Sequence, residues 1–180
     1  MKKKHIQEFV QSYLKENINK DDITIDATIG NGHDTAILAE LSKFVYGFDI
    51  QELALVNTTN LLKEKELSNY ELINDSHENI LNYIKDFKCI VFNLGYLPNS
   101  DKKITTTKKT TLKTLKSLTS YLKQNQFIII TCYPGHQEGK MEADAVLDFV
   151  GKLNSSFSVS KYELINKDNK PPFVVIIEKG

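Results

Sequence analysis

The sequence predicts an α/β fold, a mostly parallel seven-stranded sheet with helices on both faces and an antiparallel hairpin at its C-terminal end. Three observations carry this expectation. From residue 23 to about residue 153, short β-branched and aromatic runs alternate with helical stretches, the pattern of parallel strands joined by crossover helices. The strand runs are short and almost wholly apolar, as expected of strands covered on both sides. The last two runs, 157–164 and 173–177, have no helical stretch between them, so they must pair antiparallel.

Each element follows in order. Ile6, Phe9, Val10, Tyr13 and Leu14 recur at i, i+3, i+4, i+7 and i+8, which marks an amphipathic helix. Residues 23–27 form a first strand ending in a loop with Gly30 and Gly32, and a helix follows over 36–41. A second strand covers 44–48 and a second crossover helix 53–66. The third strand is 70–73, with a helix running to about residue 84. The fourth is 89–92, followed by a long helix over about 107–123. In that helix Leu112, Leu115, Leu118 and Leu122 are expected to face the core. The fifth strand is 127–130, with a helix over about 140–153. Five βα units capped by a hairpin is the Rossmann-like arrangement of class I methyltransferases.

Composition narrows the class. A chain of 180 residues, 41% hydrophobic and 26% charged, reads as one globular domain over 1–180. No run approaches the roughly 20 apolar residues of a membrane span. The segment 6–14 is broken by Gln7, Glu8, Gln11 and Ser12, unlike the apolar centre of a signal peptide. Cys89 and Cys132 make neither a disulfide framework nor a metal cluster, so a reducing, cytoplasmic setting and no bound metal are expected. Net charge is zero, but residues 101–124 hold seven lysines against one aspartate.

In an open α/β sheet, ligands bind beyond the carboxyl ends of the strands, so the residues just after each strand are the candidates. After the first come Asp26, Gly30, Asn31 and Gly32. The glycines allow a tight turn close to a ligand. Asp26 is expected to face that ligand, repelling a pyrophosphate and attracting an α-amino group. Thr35 also stands where a dinucleotide fingerprint would place its third glycine. After the second strand, Asp49, 23 residues beyond Asp26, can accept both hydroxyls of a ribose or can cap the helix that begins at Gln51. After the third come Asn74, Asp75, Ser76 and His77, where an Asp or a neighbouring polar group is placed for an adenine amino group, though Asp75 or Ser76 can equally cap a helix. Together these favour S-adenosyl-L-methionine, a cationic amino acid joined to a nucleoside.

After the fourth strand, Asn93, Leu94, Gly95, Tyr96, Leu97 and Pro98 loosely match the Asn/Asp-Pro-Pro-Tyr motif of amino-methylating enzymes. There the amide and backbone carbonyls accept hydrogen bonds from the target amine, and the ring packs on the substrate. The alternative is a plain turn with Tyr96 as packing. The fifth strand ends in Tyr133, Pro134, Gly135 and His136, and His136 is a candidate for removing a proton.

These four loops together, from Asp26 to Thr35, Asp75 to His77, Asn93 to Pro98 and Tyr133 to His136, resemble a family long called rRNA methylases. Its members act as tRNA 5-aminomethyluridine methyltransferases of the MnmM type, methylating the aminomethyl nitrogen of the wobble uridine. The likeness spans nearly the whole chain and departs at Asn99 and Ser100, where Gly-Gly is expected. It implies that Asn31, Asp49, Gln51, Ser76 and His77 hold the cofactor, that Asn93 to Tyr96 border the methyl group, and that the protein is a homodimer. An anticodon loop is single-stranded, so its bases can stack on Tyr96 or Tyr133 while phosphates meet Lys102, Lys103, Lys108, Lys109, Lys113 and Lys116. Three other readings remain open here: methylation of rRNA or a small molecule, an NAD(P)-dependent oxidoreductase, and a binding module without turnover.

Overall fold

The computed structural model describes residues 2–95 and 106–180. Among these residues, six helices and seven strands follow in the order α1 (Lys2–Asn17), β1 (Ile23–Asp26), α2 (His33–Leu41), β2 (Phe44–Phe48), α3 (Glu52–Glu64), β3 (Tyr70–Ile73), α4 (Ile80–Tyr83), β4 (Cys89–Asn93), α5 (Lys108–Tyr121), β5 (Phe127–Cys132), α6 (Gln137–Val150), β6 (Phe157–Tyr162) and β7 (Phe173–Lys179). One sheet holds all the strands in the order β3-β2-β1-β4-β5-β7-β6. The first five are parallel, and β7 runs antiparallel between β5 and β6.

Strand alternation splits the core into two layers. Ile25, Ile90, Phe92, Ile128, Ile130, Val175 and Ile177 pack with α4, α5 and α6. Their neighbours Val45, Cys89, Val91, Phe127, Ile129, Val174 and Ile176 pack with α1, α2 and α3. Successive side chains leave a strand on opposite faces, so a continuously apolar strand supplies both layers at once. This is why the short runs carried no polar alternation.

Three elements differ from expectation. The helix after β3 is a 3₁₀ turn at His77–Asn79 and a single turn of α4. The helix α6 starts at Gln137 rather than near 140, because the His136 side chain caps it by accepting a hydrogen bond from the Gly139 N–H at 3.1 Å. Its first turn is polar and shows no apolar period. Gly139 is required there, since a Cβ would lie 2.1 Å from the Tyr133 carbonyl oxygen. On α5, Leu115, Leu118 and Leu122 are buried as expected, Leu112 only partly, and Thr111 and Thr114 are buried beside them. No helix among the described residues is long and apolar enough to cross a membrane.

The parallel strands bring the ends of β1 and β4 side by side, with Asp26 in register with Val91. The strand order reverses there, as β1 continues outward to β2 while β4 continues to β5. A crevice must open at such a switch point, because the loops on its two sides turn away from each other.

Candidate active site

A cavity of about 770 Å³ occupies this crevice. Its volume lies within the roughly 300–1,000 Å³ usual for small-molecule sites. The loops after β1, β2, β3, β4 and β5 all line it, and Ile6 and Val10 of α1 close one wall.

At the β2–β3 end, both oxygens of Asp49 accept backbone N–H groups, from Gly30 at 3.0 Å and Gln51 at 2.9 Å. A carboxylate has about four lone-pair directions, so acceptor capacity remains for ribose hydroxyls. Burial raises the Asp49 carboxyl above its usual range, opposed by the N–H groups of Gln51 and Gly30. Asp75 is held ionised by hydrogen bonds from Asn79, Tyr83 and the Ser76 N–H. Ser76 caps the 3₁₀ turn, accepting from the Glu78 N–H at 3.2 Å. Gln51 and Asn31 both line the cavity.

His77 is nearly buried and packs edge-on against Phe92. Desolvation lowers its pKa to about 4, so the ring is neutral at physiological pH. Its Nδ1 lies 2.8 Å from the Thr114 hydroxyl, which itself donates to the Thr110 carbonyl at 2.9 Å. A hydroxyl has one proton, so Nδ1 must carry the hydrogen and Nε2 is left as the ring's acceptor.

The expectation that Asp26 faces the ligand is corrected. Its side chain is fully buried and is absent from the cavity lining. One oxygen accepts the Thr35 hydroxyl at 2.6 Å and the other the Thr28 N–H at 3.1 Å. Thr28 in turn accepts the Asn93 N–H at 2.7 Å. Asp26 therefore ties the β1 loop to the end of β4 from beneath, and Thr35 occupies the third glycine position because it is the partner of this acid. Gly32 is likewise behind the wall, packed on Thr58.

Burial and the neighbouring Asp34 charge push the Asp26 carboxyl from 3.8 up to about 7. Between about pH 4 and pH 7 the native state keeps a proton that the unfolded chain has released. Stability therefore falls as pH rises through that window, by about 1.4 kcal/mol per unit, and levels off above it. Asp26→Asn is expected to remove about 3 kcal/mol of the difference in unfolding free energy between pH 4.5 and 7, read from urea melts. A variant as pH-dependent as the parent would contradict this.

The acid that does line the cavity beside the amino-methylation loop is Asp34, which the sequence reading passed over. It accepts a hydrogen bond from the Asn93 side-chain amide, and the Asn93 carbonyl oxygen accepts one from the Tyr133 hydroxyl at 3.2 Å. Burial raises the Asp34 carboxyl, opposed by the Asn93 amide and by His33. Burial, then the Asp34 charge, pushes the Tyr133 hydroxyl up to about 12, so it stays protonated and can donate.

His136 also lines the cavity, but its Nδ1 is the α6 cap. That Nδ1 is occupied by the Gly139 N–H while the cap holds. Of the lysines expected to meet phosphate, Lys108 and Lys109 are exposed at the start of α5, next to the cavity-lining Thr106, Thr107 and Thr110. Lys113 is instead paired with Glu78 at 3.0 Å. Tyr96, Lys102 and Lys103 lie outside the described residues.

The cavity suits a cationic amino acid carried on a nucleoside. Three carboxylates line it, Asp34, Asp49 and Asp75, and none forms an ion pair with a lysine among the described residues. A pyrophosphate would meet this charge unfavourably, which sets aside the dinucleotide reading on chemistry.

Comparison with known proteins agrees with this geometry. The family model described as "Putative rRNA methylase" matches residues 45–178. The chain is 31% identical, over 98% of its own length and 70% of the relative's, to the Arabidopsis thaliana protein named chloroplastic tRNA (mnm(5)s(2)U34)-methyltransferase. A crystal structure of a putative rRNA-methylase from Clostridium thermocellum superimposes with a TM-score of 0.92 at 38% identity, covering 97% of each chain. A putative methyltransferase from Streptococcus mutans, solved in complex with SAH, gives a TM-score of 0.88 at 39% identity, again over 97% of each chain. From the loops that build its cavity and from these likenesses, the chain belongs to the putative rRNA methylase family and is a methyltransferase whose cofactor is S-adenosylmethionine.

Proposed function

We propose that this protein methylates the primary amine of 5-aminomethyl-(2-thio)uridine at the wobble position of tRNA, giving 5-methylaminomethyl-(2-thio)uridine. The observation that carries the reading is Asn93, whose carbonyl edge is turned toward Tyr133 at the end of β4. The reaction for which the Arabidopsis relative is named suggests the substrate.

When bound, S-adenosylmethionine supplies a methyl group already activated on a sulfonium, so the chain's own task is alignment. Asp49 and Gln51 would hold the ribose, and Ser76 and His77 would border the adenine. The Gly30–Asn31 turn would border the amino-acid tail. The Asn93 carbonyl accepts an N–H of the incoming amine and aims its lone pair. An ammonium has no lone pair, so one proton must leave, and it passes to solvent through the cavity mouth.

The target base stacks on Tyr133 or Tyr96, and Lys108 and Lys109, with Lys102, Lys103 and Lys113, meet the phosphates of the anticodon loop. Residues 1–180 act as one catalytic domain, as a cytoplasmic homodimer.

The test is to incubate the protein with labelled S-adenosylmethionine and tRNA lacking the modification, then digest and identify the methylated nucleoside. Label in 5-methylaminomethyl-(2-thio)uridine is expected; label confined to rRNA would overturn the reading. Raising salt from about 50 to about 200 mM is expected to weaken tRNA binding more than tenfold, since several phosphate contacts each release counterions. Binding indifferent to salt would remove the lysines from the interface.

A further inference from the structure

We propose that Asp34 is a positioning residue that makes the site selective for an amine, by dictating which edge of the Asn93 amide faces the substrate. The inference rests on the amine-methylation reading above.

The two edges of an asparagine amide are nearly identical in shape and opposite in hydrogen-bond character. Only the partners decide which edge points where. Asn93 has two side-chain partners among the described residues. The Tyr133 hydroxyl can donate or accept, so it settles nothing alone. An ionised Asp34 can only accept, so it takes the amide N–H₂ and leaves the carbonyl oxygen on the Tyr133 side. Asn93 and Tyr133 both line the cavity, and an acceptor on that side suits an amine N–H. The opposite orientation would present a donor, suited to a carbonyl or a ring nitrogen and repelling an amine hydrogen.

Gly32 caps α2 without any side-chain bond, and Asp34 stands in the first turn without acting as its cap. Among the described residues its carboxylate makes one hydrogen bond, to Asn93 across 59 positions of sequence. Burial disfavours its charge. The first turn of α2 compensates in part, because a helix N-terminus stabilises an anion.

The test is a pair of substitutions and their combination, with cofactor affinity measured by calorimetry and turnover measured on aminomethyl-uridine tRNA. In Asp34→Asn the new amide can donate to the Asn93 carbonyl and turn the donor edge to the cavity. A fall in kcat of about 100-fold is expected, with cofactor affinity changed less than tenfold. Asn93→Asp alone sets two carboxylates against each other and is expected to lose at least as much. The double variant Asp34→Asn, Asn93→Asp restores the pattern with the roles exchanged, because residue 93 then has acceptors only. Its kcat is expected to recover at least tenfold over Asp34→Asn alone. Should Asp34→Asn not fold, Asp34→Ala frees the amide without reversing it and is expected to lose about tenfold in kcat.

Full turnover in the Asp34 variants, or a double variant no better than its parents, would overturn the inference. Failure of the underlying reading is separate, since the unsubstituted protein itself would then leave the aminomethyl nucleoside unlabelled.

Discussion

Replacing Asn93 with alanine is expected to lower kcat on tRNA about 100-fold at saturating S-adenosylmethionine, while the fold survives. The residue sits at the end of β4, where its backbone N–H is bonded to Thr28 and its side chain bridges Asp34 and Tyr133. Alanine keeps the backbone bond and removes both side-chain bonds. The amine then enters a cavity with no fixed acceptor, and the lone pair is no longer aimed along the line of displacement. Misalignment by about 1 Å is enough for a loss near 100-fold. The side chain is only partly buried, so the accompanying loss of stability should stay near 1 kcal/mol. Asp34 and Tyr133 are left without their shared partner, and water can replace it. Single-turnover kinetics with preformed cofactor complex would separate this loss from weaker binding. Turnover equal to the parent would remove Asn93 from the chemistry.

Gly32→Ala is expected to destabilise the fold by about 3 kcal/mol and to weaken cofactor binding more than tenfold. Gly32 has φ 80°, a left-handed conformation costing a residue with a Cβ roughly 1–2 kcal/mol. The added carbon would also lie 2.5 Å from the Thr58 hydroxyl oxygen on α3. The contact lies on the β-carbon side of a fully buried threonine, which has no room to withdraw. Relief must come from moving the loop, typically at a further 1–3 kcal/mol. That loop carries the Gly30 N–H bonded to Asp49 and leads directly into Asp34. A shift there disturbs the ribose acid and the Asn93 anchor together. Thermal melting and calorimetry with S-adenosylmethionine would read the two effects. A variant with parental stability and affinity would show that the loop tolerates displacement.

Alternating periods, the absence of a helix before the final run, and polar residues clustered after each strand were enough to give the sheet, its terminal hairpin and the rim of the cavity. Each is a local property, set by backbone preference and by which faces must be buried. The placement of β7 between β5 and β6 was not legible, because hairpin strands carry no signal for which of them meets the sheet. Nor was the exchange of roles between two acids. Asp26 and Asp34 look alike in sequence, yet one is sealed beneath the loop by Thr28 and Thr35 while the other meets Asn93 in the cavity. Nor does the sequence show that α6 uses His136 as its cap. Such pairings join residues as far apart as 65 positions, as Thr28 and Asn93 are. They depend on strand order and register, which bring β1 beside β4, and no local pattern of side chains contains that information.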